Sequence, residues 1–110
     1  MIRVRGKEIK FNEGDYGEII TFNLSEGNIL SNDSITFIIE DLINKDNIME
    51  KQLIIKDSTT FELSFTQAES NSLKIGRYLW GLIWERDGEL VDTLSIDNYL
   101  VVERGLYYED

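Results

Sequence analysis

The sequence contains no cysteine, no histidine and no proline. Without cysteine, disulfides and thiolate metal sites are excluded, and nothing in the chain requires an oxidising compartment. Without histidine, the usual general base near neutral pH and the commonest metal ligand are missing. Without proline, every turn depends on Gly, Asn, Asp and Ser. No apolar run approaches ~18 residues, so no membrane-spanning helix is expected. Met1 leads directly into a β-type segment with no apolar h-region and cleavage site, so no signal peptide is expected.

Positive charge is also scarce. Eleven basic residues face 21 acidic ones, a net charge of −10. Such a field repels phosphate backbones and anionic membrane surfaces, which argues against nucleic-acid and membrane partners. The basic residues are unevenly placed. Arg3, Arg5, Lys7 and Lys10 share the first ten positions with only Glu8, so this segment is +3 and the rest of the chain is −13. One reading is a solvated first strand that offsets its acidic neighbours. The other is a basic arm for docking on an acidic copy of the chain or another partner, where complementarity sets register and on-rate.

What is present is a series of short alternating segments in 110 residues, enough for one domain. Ile2 to Arg5 predicts a brief strand, and Lys7 to Phe11 continues it or pairs elsewhere. Asn12 to Asp15 is a turn cluster. Ile20, Phe22 and Leu24 alternate with Thr21, Asn23 and Ser25, and Ile35, Phe37 and Ile39 repeat the pattern, as half-buried strands do. A hairpin connection over residues 41–49 and a strand over about 50–56 are expected next. Phe61, Leu63 and Phe65 give the clearest alternation. Thr66 and Glu69 then have the spacing of a capping box, which predicts one helical turn.

Arg77 to Glu85 is apolar on both faces, like a covered central strand, with Gly81 as a bulge or close approach. Asp87-Gly88 predicts a two-residue hairpin. Glu89 to Ile96 returns, Asp97-Asn98 breaks the strand, and Tyr99 to Glu103 completes the sheet. The expectation is an all-β, immunoglobulin-like antiparallel sandwich of seven or eight strands over residues 1–104, with a tail at 105–110. A small closed barrel has the same strand spacing.

Tyr78 stands after a helical turn and Gly76. Immunoglobulin-like sandwiches carry a tyrosine there that bonds back to upstream backbone, two residues before a core cysteine. Trp80 occupies the cysteine's place. Gly76, Tyr78 and Trp80 are therefore read as structural residues.

Several sequence segments carry a family resemblance. They are Asp15 to Ile19 with Phe22 and Leu24, Ser34 to Ile39, Phe61 to Thr66, and Leu73 to Trp80. Glu85 to Gly88, Thr93-Leu94 and Tyr99 to Val102 follow. In this order the chain resembles the N-terminal immunoglobulin-like domain of phage baseplate upper proteins and related small phage tail-associated proteins. In baseplate proteins a linker and a receptor-binding scaffold follow; here the sequence stops at Asp110, so a stand-alone protein and a detached domain both remain open. The resemblance implies a non-enzymatic structural role in a virion tail or baseplate. It implies partners among virion proteins or a homo-oligomer, and a location in the virion or in the host cytoplasm during assembly. It implies no catalytic residue, no metal ligand and no cofactor.

Asp15 with Glu18, Glu40 with Asp41, and Asp87 with Glu89 are carboxylate pairs outside any signature, and a glycosidase needs its pair set across a cleft. Asn12 to Asp15, Asn32-Asp33 and Asn44 to Asn47 offer oxygen ligands for calcium, without EF-hand spacing. No histidine is present to activate a serine. Trp80 and Trp84 share a face of one strand. If that face is exposed, they form a sugar-stacking platform, the carbohydrate-binding alternative; a one-residue register change decides it.

Overall fold

A computed structural model of the chain describes residues 3–5 and 7–104. The expected tail at 105–110 lies outside them. The described strands, in chain order, are β1 (Arg3–Arg5), β2 (Glu8–Asn12), β3 (Ile20–Asn23), β4 (Asp33–Asp41) and β5 (Asn47–Gln52). They continue with β6 (Ile54–Ile55) and β7 (Thr60–Leu63), the helix α1 (Gln67–Ser72), then β8 (Gly76–Arg86) and β9 (Glu89–Glu103). One sheet has the order β1-β2-β9-β8-β4-β5 and the other β3-β7-β6. The two pack as an all-β sandwich around one apolar core.

Alternation selects which side chains enter that core. On β4, Ile35, Phe37 and Ile39 are fully buried, while Thr36, Ile38 and Glu40 between them are half-buried on the other face. From the smaller sheet come Phe61 and Leu63, with Phe65 just beyond β7. An aromatic chain crosses between the sheets. Phe11 meets Phe65, Phe65 meets Phe37, Phe37 stacks on Trp80, Trp80 meets Phe22, and Phe22 stacks on Phe61. Ring centroids in these pairs lie 5.5 to 6.0 Å apart, the range in which aromatic pairs add stability beyond their buried area.

The local signals at the ends of elements are used as expected. Thr66 caps α1: its hydroxyl accepts from the Glu69 amide at 3.2 Å, and the Glu69 carboxylate accepts from the Thr66 amide at 2.8 Å. Glu69 also accepts from Lys51 Nζ at 2.6 Å, which ties the helix to β5. Burial opposes ionisation of Glu69, but the Lys51 bond and charge and the Thr66 bonds outweigh it and hold the carboxyl below its ordinary value. At the β8–β9 turn, Asp87 and Gly88 have φ of 53° and 81°, the left-handed pair a tight hairpin requires.

Four expectations need correction. The sandwich is not wholly antiparallel: β2 pairs with β9 in parallel, so the larger sheet is mixed. The described strands number nine: β1 and β2 are separate, the segment over 50–56 is divided, and residues 89–103 form one strand. The strand expected over 50–56 is split between sheets: β5 pairs with β4, and β6 pairs with β7. Leu53 lies between them, 7% exposed, its amide bonded to the Ile35 carbonyl at 2.8 Å. Burying Leu53 carries the chain across the sandwich, a long-range event without local turn chemistry. The break expected at Asp97-Asn98 is a bulge inside the continuous strand β9. Asp97 adopts φ 57°, and Asn98 is buried with its amide donating to Trp80 O at 3.2 Å and Ser95 Oγ at 2.6 Å. A left-handed Asp reads the same in sequence whether it ends a strand or bulges it.

Gly81 supplies the other half of that bulge. A Cβ there would stand 2.9 Å from Ser95 O and 3.6 Å from Ile96 Cα. The missing side chain therefore lets β9 ride over β8 at this point.

Candidate functional site

The sandwich offers three places with organised side chains: the crossover before β8, the polar staple at the hairpin end, and a cleft beside β3. At the crossover, the Tyr78 hydroxyl donates to the Lys74 carbonyl at 2.7 Å. Burial, with the charge of Asp41 adding to it, raises the phenol above its ordinary pKa against the opposing effect of the Lys74 bond. Gly76 opens β8 opposite Val102. Tyr78 thus ties the chain leaving α1 to the strand that follows. Tyr78→Phe should lower unfolding stability by about 1 kcal/mol, the usual net value of one hydrogen bond. It should also speed amide exchange over residues 73–76. Urea denaturation with exchange mass spectrometry measures both, and unchanged values would mean the bond pins nothing.

At the hairpin end, the side chain of Asp33 is fully buried and Arg86 holds it. Arg86 Nε donates to Oδ1 at 2.7 Å and Nη2 to Oδ2 at 3.0 Å. The Leu30 amide and Trp84 Nε1 also donate to Oδ2, at 2.7 and 2.9 Å. The Arg86 bonds lead in holding this carboxyl far below the usual carboxylate range; burial works against them, and the Leu30 and Trp84 bonds assist. The same bond raises Arg86. Asn32 Nδ2 donates to Asp87 Oδ2 at 2.9 Å and extends the tie to the hairpin tip. Sequence reading missed this staple. Its members are 53 residues apart, and no local feature of either segment names the other.

The cleft, about 270 Å³, lies between β3 and the bulged part of β9. Phe22, Leu24, Trp80, Leu82 and Leu94 line it together with Lys7, Asn23 and Ser95. It is apolar, and no cluster of titratable groups converges on it.

The sequence-derived candidates fall in different places. Lys7 lines the cleft, and its carbonyl accepts from Trp80 Nε1 at 3.0 Å. Lys10 pairs with Glu8 at 3.7 Å on β2. Arg3 and Arg5 belong to β1, where they pair by backbone register with Lys10 and Glu8; their side chains are outside the described set. The four basic residues are therefore neighbours at one sheet edge. Trp80 and Trp84 are 4% and 7% exposed. This overturns the premise of the sugar-stacking platform: residues 78, 80, 82 and 84 face the core, and both indole N–H groups are engaged internally. The calcium candidates serve as local braces. Asp15 accepts from the Asn12 amide at 3.1 Å and Asp41 from the Asn44 amide at 2.8 Å. Among the described residues no group of three or more acidic side chains is placed to hold a metal ion.

No described helix is long and apolar enough to cross a membrane. Comparison with protein-family models, with curated proteins and with solved structures returns no match.

Proposed function

We propose that this chain is an immunoglobulin-like, non-enzymatic assembly module of a phage or prophage tail or baseplate. The strand order supports the finer fold. One sheet runs β1-β2-β9-β8-β4-β5, and β3-β7-β6 faces it. This division supports a variable-type reading, in which β3, β7 and β6 correspond to strands B, E and D, and β4, β5, β8 and β9 to C, C′, F and G. Tyr78 bonding back to Lys74 just inside β8 agrees with it. Phe22, Phe37 and Trp80 fill the inter-sheet space where an antibody domain places its disulfide and tryptophan.

The observation that carries the assembly role is the outward face of the large sheet. It exposes Leu90, Ile96 and Tyr99 at 61%, 65% and 46%. Large apolar side chains left exposed among charged ones are what an interaction surface displays. The phage setting rests on the order of the sequence motifs alone. Mass spectrometry of purified particles tests it directly: peptides of this chain are expected at a stoichiometry comparable with other tail proteins. Their absence, together with failure of the immobilised chain to retain any virion structural protein, would overturn the reading.

A further inference from the structure

We infer that the cleft between β3 and β9 takes the aromatic, acidic segment 106–110 of a second copy of this chain. This deepens the assembly reading by naming a contact between copies, and it rests on that reading. The cleft opens the sandwich at its side. Phe22, Phe61, Trp80 and Leu94 line its volume of about 270 Å³. All four belong to the apolar core or pack against it, so an occupant here would extend the core itself. A dry cavity of ~150 Å³ already admits a benzene-sized ring. The larger volume here has room for an aromatic side chain and a second apolar one.

Both walls can hold an extended segment. β3 is the edge of its sheet and pairs with β7 alone. β9 pairs with β8 along its length, but β2 covers its other side only from Leu100 to Glu103. Among the described residues, no strand pairs with the second edge of β3 or with that of β9 beside Leu94. Open edges of this kind accept an added strand, with pockets for alternate side chains.

Charge and composition select the occupant. Lys7 is the only charged residue among the described ones that line the cleft, in a chain with 21 acidic residues and 11 basic ones. An apolar site with one cation is complementary to an apolar segment with an anion. Leu106-Tyr107-Tyr108-Glu109-Asp110 has that composition. Alternate residues of an extended segment share a side, so Leu106 and Tyr108 enter the cleft together and the two acids follow towards Lys7.

Reach excludes a chain that fills its own cleft. Leu94 precedes Glu103 by nine positions on β9, roughly 25–30 Å, and the strand runs away from the cleft over that length. Leu106 and Tyr108 follow Glu103 by three and five positions, at most about 11 and 18 Å. The occupant therefore comes from another copy. Each copy has one such segment and one cleft, so reciprocal exchange closes a twofold dimer.

Sedimentation velocity on the full chain, from low micromolar concentration to about 1 mM, tests it. The wild-type chain should pass from monomer to dimer across that range. Leu106→Ala with Tyr108→Ala should weaken the dimer at least about a hundredfold, since two buried apolar side chains are lost from each contact. Tyr107→Ala, on the other side of the segment, should change it by no more than about twofold. Lys7→Glu should weaken the dimer about fivefold or more, and so should Glu109→Lys with Asp110→Lys. An equimolar mixture of these two charge variants should recover, because each cleft then meets a segment of opposite sign. Recovery rules out misfolding as the cause of the separate losses. A wild-type chain that stays monomeric, a Leu106 and Tyr108 variant that dimerises normally, a Tyr107 variant that loses as much, or a mixture that does not recover would each overturn the exchange. A chain monomeric in solution but present in purified particles removes the exchange and leaves the assembly role standing. A dimer with the expected variant pattern that is absent from particles keeps the exchange and removes the phage role.

Discussion

Trp80→Ala should cost about 4 kcal/mol of unfolding stability, within the range for truncating a buried aromatic. For a domain whose total stability is roughly 5–15 kcal/mol, that is a large share. Trp80 is 4% exposed and sits where the sheets meet, stacked on Phe37 at 5.5 Å and against Phe22 at 6.0 Å. Removing the indole cuts the aromatic chain in the middle, so Phe37 from the large sheet and Phe22 from the small one no longer share a contact. It also frees the Lys7 carbonyl, which accepts from Nε1 at 3.0 Å. The lost volume opens into the existing cleft of about 270 Å³ that Trp80 lines, so water enters and the walls do not close over the gap. Trp80→Phe separates the two effects. It keeps a ring between Phe37 and Phe22 and loses the N–H, and should cost only about 1–2 kcal/mol. Urea unfolding of the three proteins measures the series. Equal losses for Phe and Ala would place the stabilisation in the Lys7 bond instead of the packing, and a loss below about 1 kcal/mol for Ala would remove Trp80 from the inter-sheet core.

How much of this was legible in sequence depends on the range of the signal. Period-two alternation placed Ile35, Phe37 and Ile39, and Phe61, Leu63 and Phe65, because burial on one face of a strand imposes it locally. The capping box and Asp87-Gly88 were legible for the same reason: their chemistry is complete within four residues. Tyr78 was legible because its acceptor, Lys74, is four residues upstream. What sequence did not show depends on distant partners. The parallel pairing of β2 with β9 joins Ile9 to Leu100, and no feature of either segment names the other. The sheet switch at Leu53 depends on an acceptor, Ile35, eighteen residues earlier. Which face of β8 turns to the core was not legible either. Leu79 and Ile83 had to be assigned outward and Trp80 and Trp84 inward, and a double-sided apolar strand leaves that choice to tertiary packing.

The staple at Asp33 supplies the second large effect. Four donors converge on one carboxylate: the Leu30 amide, Trp84 Nε1, and Nε and Nη2 of Arg86. An ionised carboxylate has acceptor sites for all four. In Asp33→Asn one oxygen becomes an amino group, so at least one donor faces another donor in a site where the side chain is fully buried. The loop that carries Leu30 and the hairpin base that carries Arg86 then lose their common anchor. Expected results are a clear fall in the melting temperature at pH 7 and faster amide exchange over residues 26–32. The pH dependence identifies the charge as the cause. Arg86 depresses the carboxyl in the folded state, whereas in the unfolded chain it titrates near ~3.9. The unfolded state therefore binds the proton first, and the contribution of Asp33 is complete above pH ~4 and declines as pH falls towards the depressed folded value. The variant has no such group. The gap in stability between wild type and Asp33→Asn should be constant from pH 7 to about pH 5 and narrow steadily from about pH 4 to pH 2. Subtracting the two curves cancels the titration of the other acidic residues, so the narrowing reports Asp33 alone. A gap that keeps its full size at pH 2 would show that shape and not charge holds the loop to the hairpin.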